Sequence, residues 1–220
     1  IANAVGFAIA ETMLAAKYNK PDCKIVDHYT YALTGDGCLQ EGIAYEAASL
    51  AGTLKLGKLI LLYDKNDITI EGNINLTFSE DVGKVHEAMG WQVIYVDDAD
   101  CDKIGVAIEQ AKAEKEKPSL IIVKTQIGFG SPKAGSASCH GAPLGEDGVA
   151  QTKKNLGFEY PDFTVPDEVT KHYLGIKKSL MSEHEQYEKK LASYAAKYPE
   201  EYKQLVKDIN GEADIDEAKL

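Results

Sequence analysis

The stretch Tyr29-Thr30-Tyr31-Ala32-Leu33-Thr34-Gly35-Asp36-Gly37 decides the fold. An apolar run enters a turn made of two glycines and one acid, and a helical pattern follows. A second apolar run, Leu59-Ile60-Leu61-Leu62-Tyr63, then leads into Asp64-Lys65-Asn66. Strand, helix and strand in that order form the unit of a parallel sheet, whose ligands bind beyond the carboxyl ends of the strands. Asp36 inside a glycine turn would repel a phosphate unless a divalent cation lay between them, so it reads as a metal ligand. Asn66, thirty positions on, would offer a neutral oxygen to the same ion from the neighbouring strand. A small hard cation is usually held by one or two protein carboxylates together with phosphate oxygens. Gly-Asp-Gly alone reads most simply as a plain turn, because both residue types tolerate unusual backbone angles, and only the full constellation reverses that reading.

The same alternation continues on both sides. Helices are expected over 2–18, 41–55, 79–89 and 102–116, and strands over 29–34, 59–64, 91–96 and 119–125. The expected fold class is α/β, a parallel sheet with helices on both faces, followed by a helical connector. Residues 126–145 read as a Gly/Ser-rich loop carrying His140, and long loops in compact domains are usually functional or mobile. Pro161 and Pro166 mark a boundary, after which 167–198 shows helical spacing with alternating charged and aromatic positions. The domains are therefore drawn as 1–165 for cofactor binding and 166–220 for the connector. The charged run Glu183–Lys190 reads as a solvated helix face.

Between and beyond the two ends, the wording resembles the transketolase family. Gly35-Asp36-Gly37 followed about thirty residues later by Asn66 is the order of the thiamine diphosphate fingerprint. Ile68-Thr69-Ile70-Glu71-Gly72, Glu87-Ala88-Met89-Gly90-Trp91, Lys117-Pro118-Ser119-Leu120, Ile127-Gly128-Phe129-Gly130-Ser131 and Cys139-His140-Gly141-Ala142-Pro143-Leu144-Gly145 resemble transketolase segments in the right order. The resemblance covers residues 1 to about 175. It implies a thiamine diphosphate and magnesium enzyme, with calcium or manganese able to substitute, that moves a two-carbon ketol unit between sugar phosphates in the pentose phosphate pathway.

Residue roles come from that resemblance position by position. Asp36, Asn66 and the Ile68 carbonyl would hold the ion, and the Gly37 N–H the diphosphate. Ile70 and Ile127 would line the thiazolium pocket, and His140 would touch both diphosphate and donor sugar. Glu41 would join a carboxylate network across a homodimer interface. Lys65 stands where the family commonly has a second Asp, and is expected to point to solvent. The resemblance also implies a second domain or chain carrying the pyrimidine site, and suggests that the sequence is incomplete at its start. A dihydroxyacetone synthase-like enzyme, a split enzyme and a non-catalytic scaffold subunit are the alternatives.

Two near-motifs fail on chemistry. Gly52-Thr53-Leu54-Lys55-Leu56-Gly57-Lys58 approaches a phosphate-binding loop, but Leu59 stands where Ser or Thr would hold magnesium, and the order is helix to strand. Gly128-Phe129-Gly130 lacks the third glycine of a dinucleotide motif.

Composition narrows the partners. The net charge of -11 argues against nucleic acid and anionic membrane surfaces. Cys23, Cys38, Cys101 and Cys139 lie far apart, without zinc-site pairs, which suits a reducing, cytoplasmic compartment. No transmembrane run or signal peptide is expected. His28, His86, His172 and His184 read as structural or solvated. The sequence contains no arginine, the side chain that grips phosphate with a planar fork, so any sugar-phosphate clamp comes from lysine or from elsewhere.

Overall fold

The computed structural model describes residues 1–212. Four strands, β1 (Thr30–Gly35), β2 (Leu59–Lys65), β5 (Gln92–Val96) and β6 (Ser119–Lys124), form one parallel sheet in the order β1-β2-β6-β5. The remaining two strands, β3 (Ile68–Thr69) and β4 (Gly72–Asn73), make a small antiparallel hairpin directly after β2. That hairpin escapes a periodicity reading because two residues per strand carry no alternation.

Helices pack on both faces of the sheet, as its near-continuous apolar central strands require, while Tyr31 and Leu33 of the edge strand β1 stay exposed. Leu59, Leu61, Tyr63, Leu120 and Ile122 pack against α1 (Ala2–Tyr18) and α2 (Gly42–Thr53), with Val82 of α3 (Val82–Ala88) in the same cluster. On the opposite face Ile60, Ile94, Val96, Ile121 and Val123 meet Ala107 and Ala111 of α4 (Cys101–Ala113). Burying each large side chain contributes about 1.5–3 kcal/mol, and Ile60, Leu120 and Ile121 are wholly buried. Trp91 fastens the edge of the first cluster, its indole N–H donating to the Ala48 carbonyl at 2.8 Å.

The helix starts are set by side chains. Asp81 accepts from the Lys84 N–H at 3.2 Å and Asp100 from the Lys103 N–H at 2.9 Å. These caps satisfy orphan amides, and Asp81 explains why α3 begins at Val82 rather than near residue 79. The glycines of the false phosphate loop have packing roles instead. A Cβ on Gly52 would lie 1.7 Å from the Met89 carbonyl oxygen, and one on Gly57 would lie 2.1 Å from that of Lys115.

The described residues divide into two compact units, one of residues 1–10 and 28–159, the other of 11–27 and 160–212. The second has its own apolar cluster, in which Tyr18, Ile25 and Val26 pack with Tyr194 of α6 (Asp167–Lys197) and Leu205 of α7 (Pro199–Ile209). Within it the Tyr194 hydroxyl donates to the Tyr18 carbonyl at 2.8 Å. The ammonium of Lys17, 2.6 Å away, and the Tyr18 hydroxyl hold the Asp208 carboxyl down at about 2. The helix expected over 167–198 is present, and Pro199 opens α7 at its first turn, where a missing N–H costs nothing.

Candidate cofactor site

β1 and β2 end side by side, with Gly35 paired to Asp64 in the parallel register. Asp36 and Asn66 therefore leave the sheet from adjacent strands, and the spacing of thirty residues becomes a contact. Asp36 is 2% exposed. Its Oδ2 accepts the N–H groups of Asn66 at 3.1 Å and Asp67 at 2.9 Å, and its Oδ1 accepts the Tyr63 hydroxyl at 2.5 Å. A buried carboxylate is costly unless hydrogen-bonded, and three donors meet this one. Burial first, then the hydrogen bond to Asp36, pushes the Tyr63 phenol far above its ordinary pKa.

Asn66 is oriented by the hairpin. Its Oδ1 accepts the Ile68 N–H at 3.0 Å, which fixes the oxygen end of the amide. Hydrogen-bonded and non-bonded pairs alternate along an antiparallel ladder. The Ile74 N–H donates to the Asp67 carbonyl at 2.9 Å, so the next pair, Ile68 with Asn73, is a non-bonded one. The Ile68 carbonyl accordingly points out of the ladder. Asp67 holds a left-handed φ of 62°, which Asp tolerates better than most residues, and this bends the chain from β2 into the hairpin.

The glycines of the turn are neither strained nor crowded. Gly37 has φ −66° and ψ −35°, open to any residue, and begins the short 3-10 turn Cys38–Gln40. A Cβ added to Gly35 or Gly37 would meet nothing within 4 Å. Neither a strained angle nor internal crowding requires glycine here, and Asp36 and Gly37 form a turn that leads into the 3-10 segment. The bare backbone leaves room for something that approaches closely.

The donor set, one carboxylate, one amide oxygen and one carbonyl, suits a hard divalent cation that draws its remaining ligands from phosphate and water. Among the described residues no cluster of three or more His, Cys, Asp or Glu could hold a metal. The fit therefore rests on oxygens that are mostly uncharged. Lys65 is about 41% exposed and is ion-paired to Asp67. The pairing is local, because residues 65 and 67 flank the same bend.

The remaining expected residues lie at the rim. Glu41 is exposed at the head of α2 and makes no capping bond with its side chain. Ile70, at the tip of the hairpin, is 68% exposed, and Ile127 is half-buried just after β6. His140 is exposed and ends a 3-10 turn, its N–H donating to the Ala137 carbonyl at 2.9 Å. No hydrogen bond among the described residues joins His140 to Asp36 or Asn66. The long loop is built on itself: Cys139 Sγ donates to the Lys133 carbonyl at 2.8 Å, and Gly128, Gly130, Gly135 and Gly141 all have positive φ. A Cβ on Gly128 would lie 2.4 Å from Cys139 Sγ, so that glycine serves loop packing. Helix α5 (Gly145–Asn155) follows, an element the sequence reading passes over, and Asn155 donates back to the Gly130 carbonyl at 2.8 Å. Tyr63 is the residue that sequence reasoning missed. It reads there as one more apolar strand position, and only its place one residue before the end of the pairing hints at more.

The parallel sheet flanked by helices, with an acid and an amide at the ends of adjacent strands, is that of an α/β domain whose ligands bind beyond the strand ends. Comparison with known proteins gives the family. The family model described as transketolase, thiamine diphosphate binding domain, matches residues 1–214. Transketolase from Streptococcus pyogenes is 54% identical over 91% of this chain, and transketolase 1 from Escherichia coli 48% identical over 98%. Solved transketolase structures superpose closely. That from Leishmania mexicana has a TM-score of 0.93 at 44% identity over 96% of the chain. The Pichia stipitis enzyme in complex with sedoheptulose 7-phosphate has a TM-score of 0.92 at 42% identity over 96% of the chain. The chain belongs to the transketolase family. It spans 28% and 33% of the two curated relatives and 32% of each of the two solved chains.

Proposed function

We propose that this chain is the diphosphate-binding portion of a transketolase, acting in the transfer of a two-carbon ketol unit from a ketose phosphate to an aldose phosphate. The observation that carries the reading is that Asp36 and Asn66 stand together at the ends of adjacent strands, Asp36 accepting the Asn66 N–H, beside the open glycine turn. Asp36, Asn66 and Ile68 would hold Mg2+, or Ca2+ or Mn2+ in its place, and the Gly37 N–H would hold the diphosphate. When bound, thiamine diphosphate supplies the electron sink that C–C cleavage needs.

The chain's own residues bind, orient and manage protons. Ile70 and Ile127 offer apolar surface to the thiazolium ring and exclude water from it. His140, on its preformed loop, holds or moves a proton at a donor hydroxyl and stabilises developing negative charge there. Glu41 is available for a carboxylate network with a second copy in a homodimer. Residues 1–165 form the cofactor-binding part, and 166–220 connect to a domain or chain that carries the pyrimidine site. The pathway is the pentose phosphate pathway and the compartment the cytoplasm. Among the described residues no helix is long and apolar enough to cross a membrane. The phosphate clamp must use lysine or come from that second part, since this sequence has no arginine.

The test is a turnover assay of the protein that carries this chain, with xylulose and ribose phosphates, thiamine diphosphate and Mg2+. Two-carbon transfer that requires both cofactor and cation is the expected result. Cofactor binding without turnover would leave the scaffold reading in its place.

A further inference from the structure

Asp36 has few lone pairs left to give. An ionised carboxylate offers about four acceptor positions. Oδ2 receives two backbone N–H groups, from Asn66 and Asp67, and is filled. Oδ1 receives only the Tyr63 hydroxyl, so the one open position of this carboxylate lies on the same oxygen that Tyr63 holds. Tyr63 is itself 1% exposed, packed among Leu59, Leu61 and Ile122 on the face that α1 and α2 cover. Its ring has little freedom, and its hydroxyl donates to Oδ1 at 2.5 Å.

We infer that Tyr63 is a positioning residue for the cation site: its hydroxyl fixes the rotation of the Asp36 carboxylate so that Oδ1 alone faces the ion. The inference rests on the cation reading proposed above and extends it to a residue that touches neither ion nor cofactor. The backbone donors fix only one end of the carboxylate plane, and a carboxylate held at one oxygen can still rock about that point. Tyr63 holds the other end from the rigid interior of the sheet. Partners that orient a metal ligand are typically worth 10–100-fold in metal affinity.

The experiment is a calorimetric titration of Mg2+ into the thiamine diphosphate-saturated protein that carries this chain, comparing wild type, Tyr63→Phe and Asp36→Ala. Melting is recorded with and without Mg2+. Tyr63→Phe keeps the ring in the core, so the sheet should fold. The expected result is a Mg2+ dissociation constant about 10–100-fold weaker, a smaller Mg2+-induced rise in melting temperature, and near-normal turnover once Mg2+ is raised to saturation. A merely structural Tyr63 would lower the metal-free melting temperature and leave the Mg2+ midpoint unchanged, and that outcome overturns the inference. Asp36→Ala separates the two levels. Lost Mg2+ binding in Asp36→Ala with unchanged affinity in Tyr63→Phe defeats Tyr63 alone, whereas unchanged Mg2+ binding in Asp36→Ala defeats the cation reading as well.

Discussion

The loops that follow β2 and β6 leave the same edge of the sheet, since Lys65 and Lys124 are register partners, yet they are held in opposite ways. The β2 loop is tied to the interior: Asp36 is buried, three donors converge on it, and one of them comes from a core tyrosine. The β6 loop is tied mainly to itself and to α5, and leaves His140 exposed. A cation site works by having its oxygens in place before the ion arrives, so that binding costs no reorganisation. A proton-handling group must meet a substrate that comes and goes. On the proposed reading, the fold itself would carry the first role and a surface loop the second.

The sharpest way to break this contrast is to remove the interior anchor. Asp36→Ala should abolish cation-dependent cofactor binding in calorimetry. It should also lower the melting temperature, because the Tyr63 hydroxyl and two amides lose their acceptor, at about 1–3 kcal/mol for each buried group left unpaired. Unchanged cofactor affinity would end the metal assignment.

On the other loop the expected effect is kinetic. His140→Ala in the assembled enzyme should lower turnover by roughly two to four orders of magnitude, with little change in cofactor affinity or melting. His140→Gln, a hydrogen-bond donor that cannot shuttle a proton, should recover part of the loss if the role is electrostatic and little if it is proton transfer. Near-native turnover in His140→Ala would show that the loop does not reach the chemistry.

A smaller effect concerns the sheet beneath both loops. His86 is 5% exposed, sets its ring edge-on to Trp91 at 5.2 Å, bonds the Val82 carbonyl through Nδ1 at 2.9 Å, and leaves Nε2 buried and unpaired. Burial lowers its pKa below the usual 6.5. The unfolded chain therefore takes up a proton near pH 6.5 that the folded chain refuses. Stability should be level above that pH and fall as the pH drops below it, by up to about 1.4 kcal/mol per pH unit until the folded pKa is reached. His86→Phe keeps the contact with Trp91 and should flatten the slope, as urea titrations at pH 7 and pH 5.5 would reveal. The same slope in both proteins would assign it to other groups.

Much of the fold was legible because apolar runs of five or six residues, separated by helical periods, leave little choice but a covered parallel sheet. The four sheet strands lie where the pattern puts them, within one or two residues. The β3–β4 hairpin and α5 were not legible. The hairpin is too short to show a period, and α5 is a polar helix with no buried residue, so burial writes no apolar stripe into it. Lys65 could be noticed as a departure, but its pairing with Asp67 depends on a backbone bend that local sequence does not display.

What the sequence determined by itself was the chemistry at the strand ends: an acid between glycines, and an amide thirty residues later, which are matters of residue type and order. The tertiary structure alone decided how that acid is held. Whether Tyr63 packs as one more apolar residue or aims its hydroxyl at Asp36 depends on the parallel register that sets β1 beside β2, and on which helices cover its face of β2. Register and face come from long-range packing between segments distant in the chain, and no local pattern encodes them.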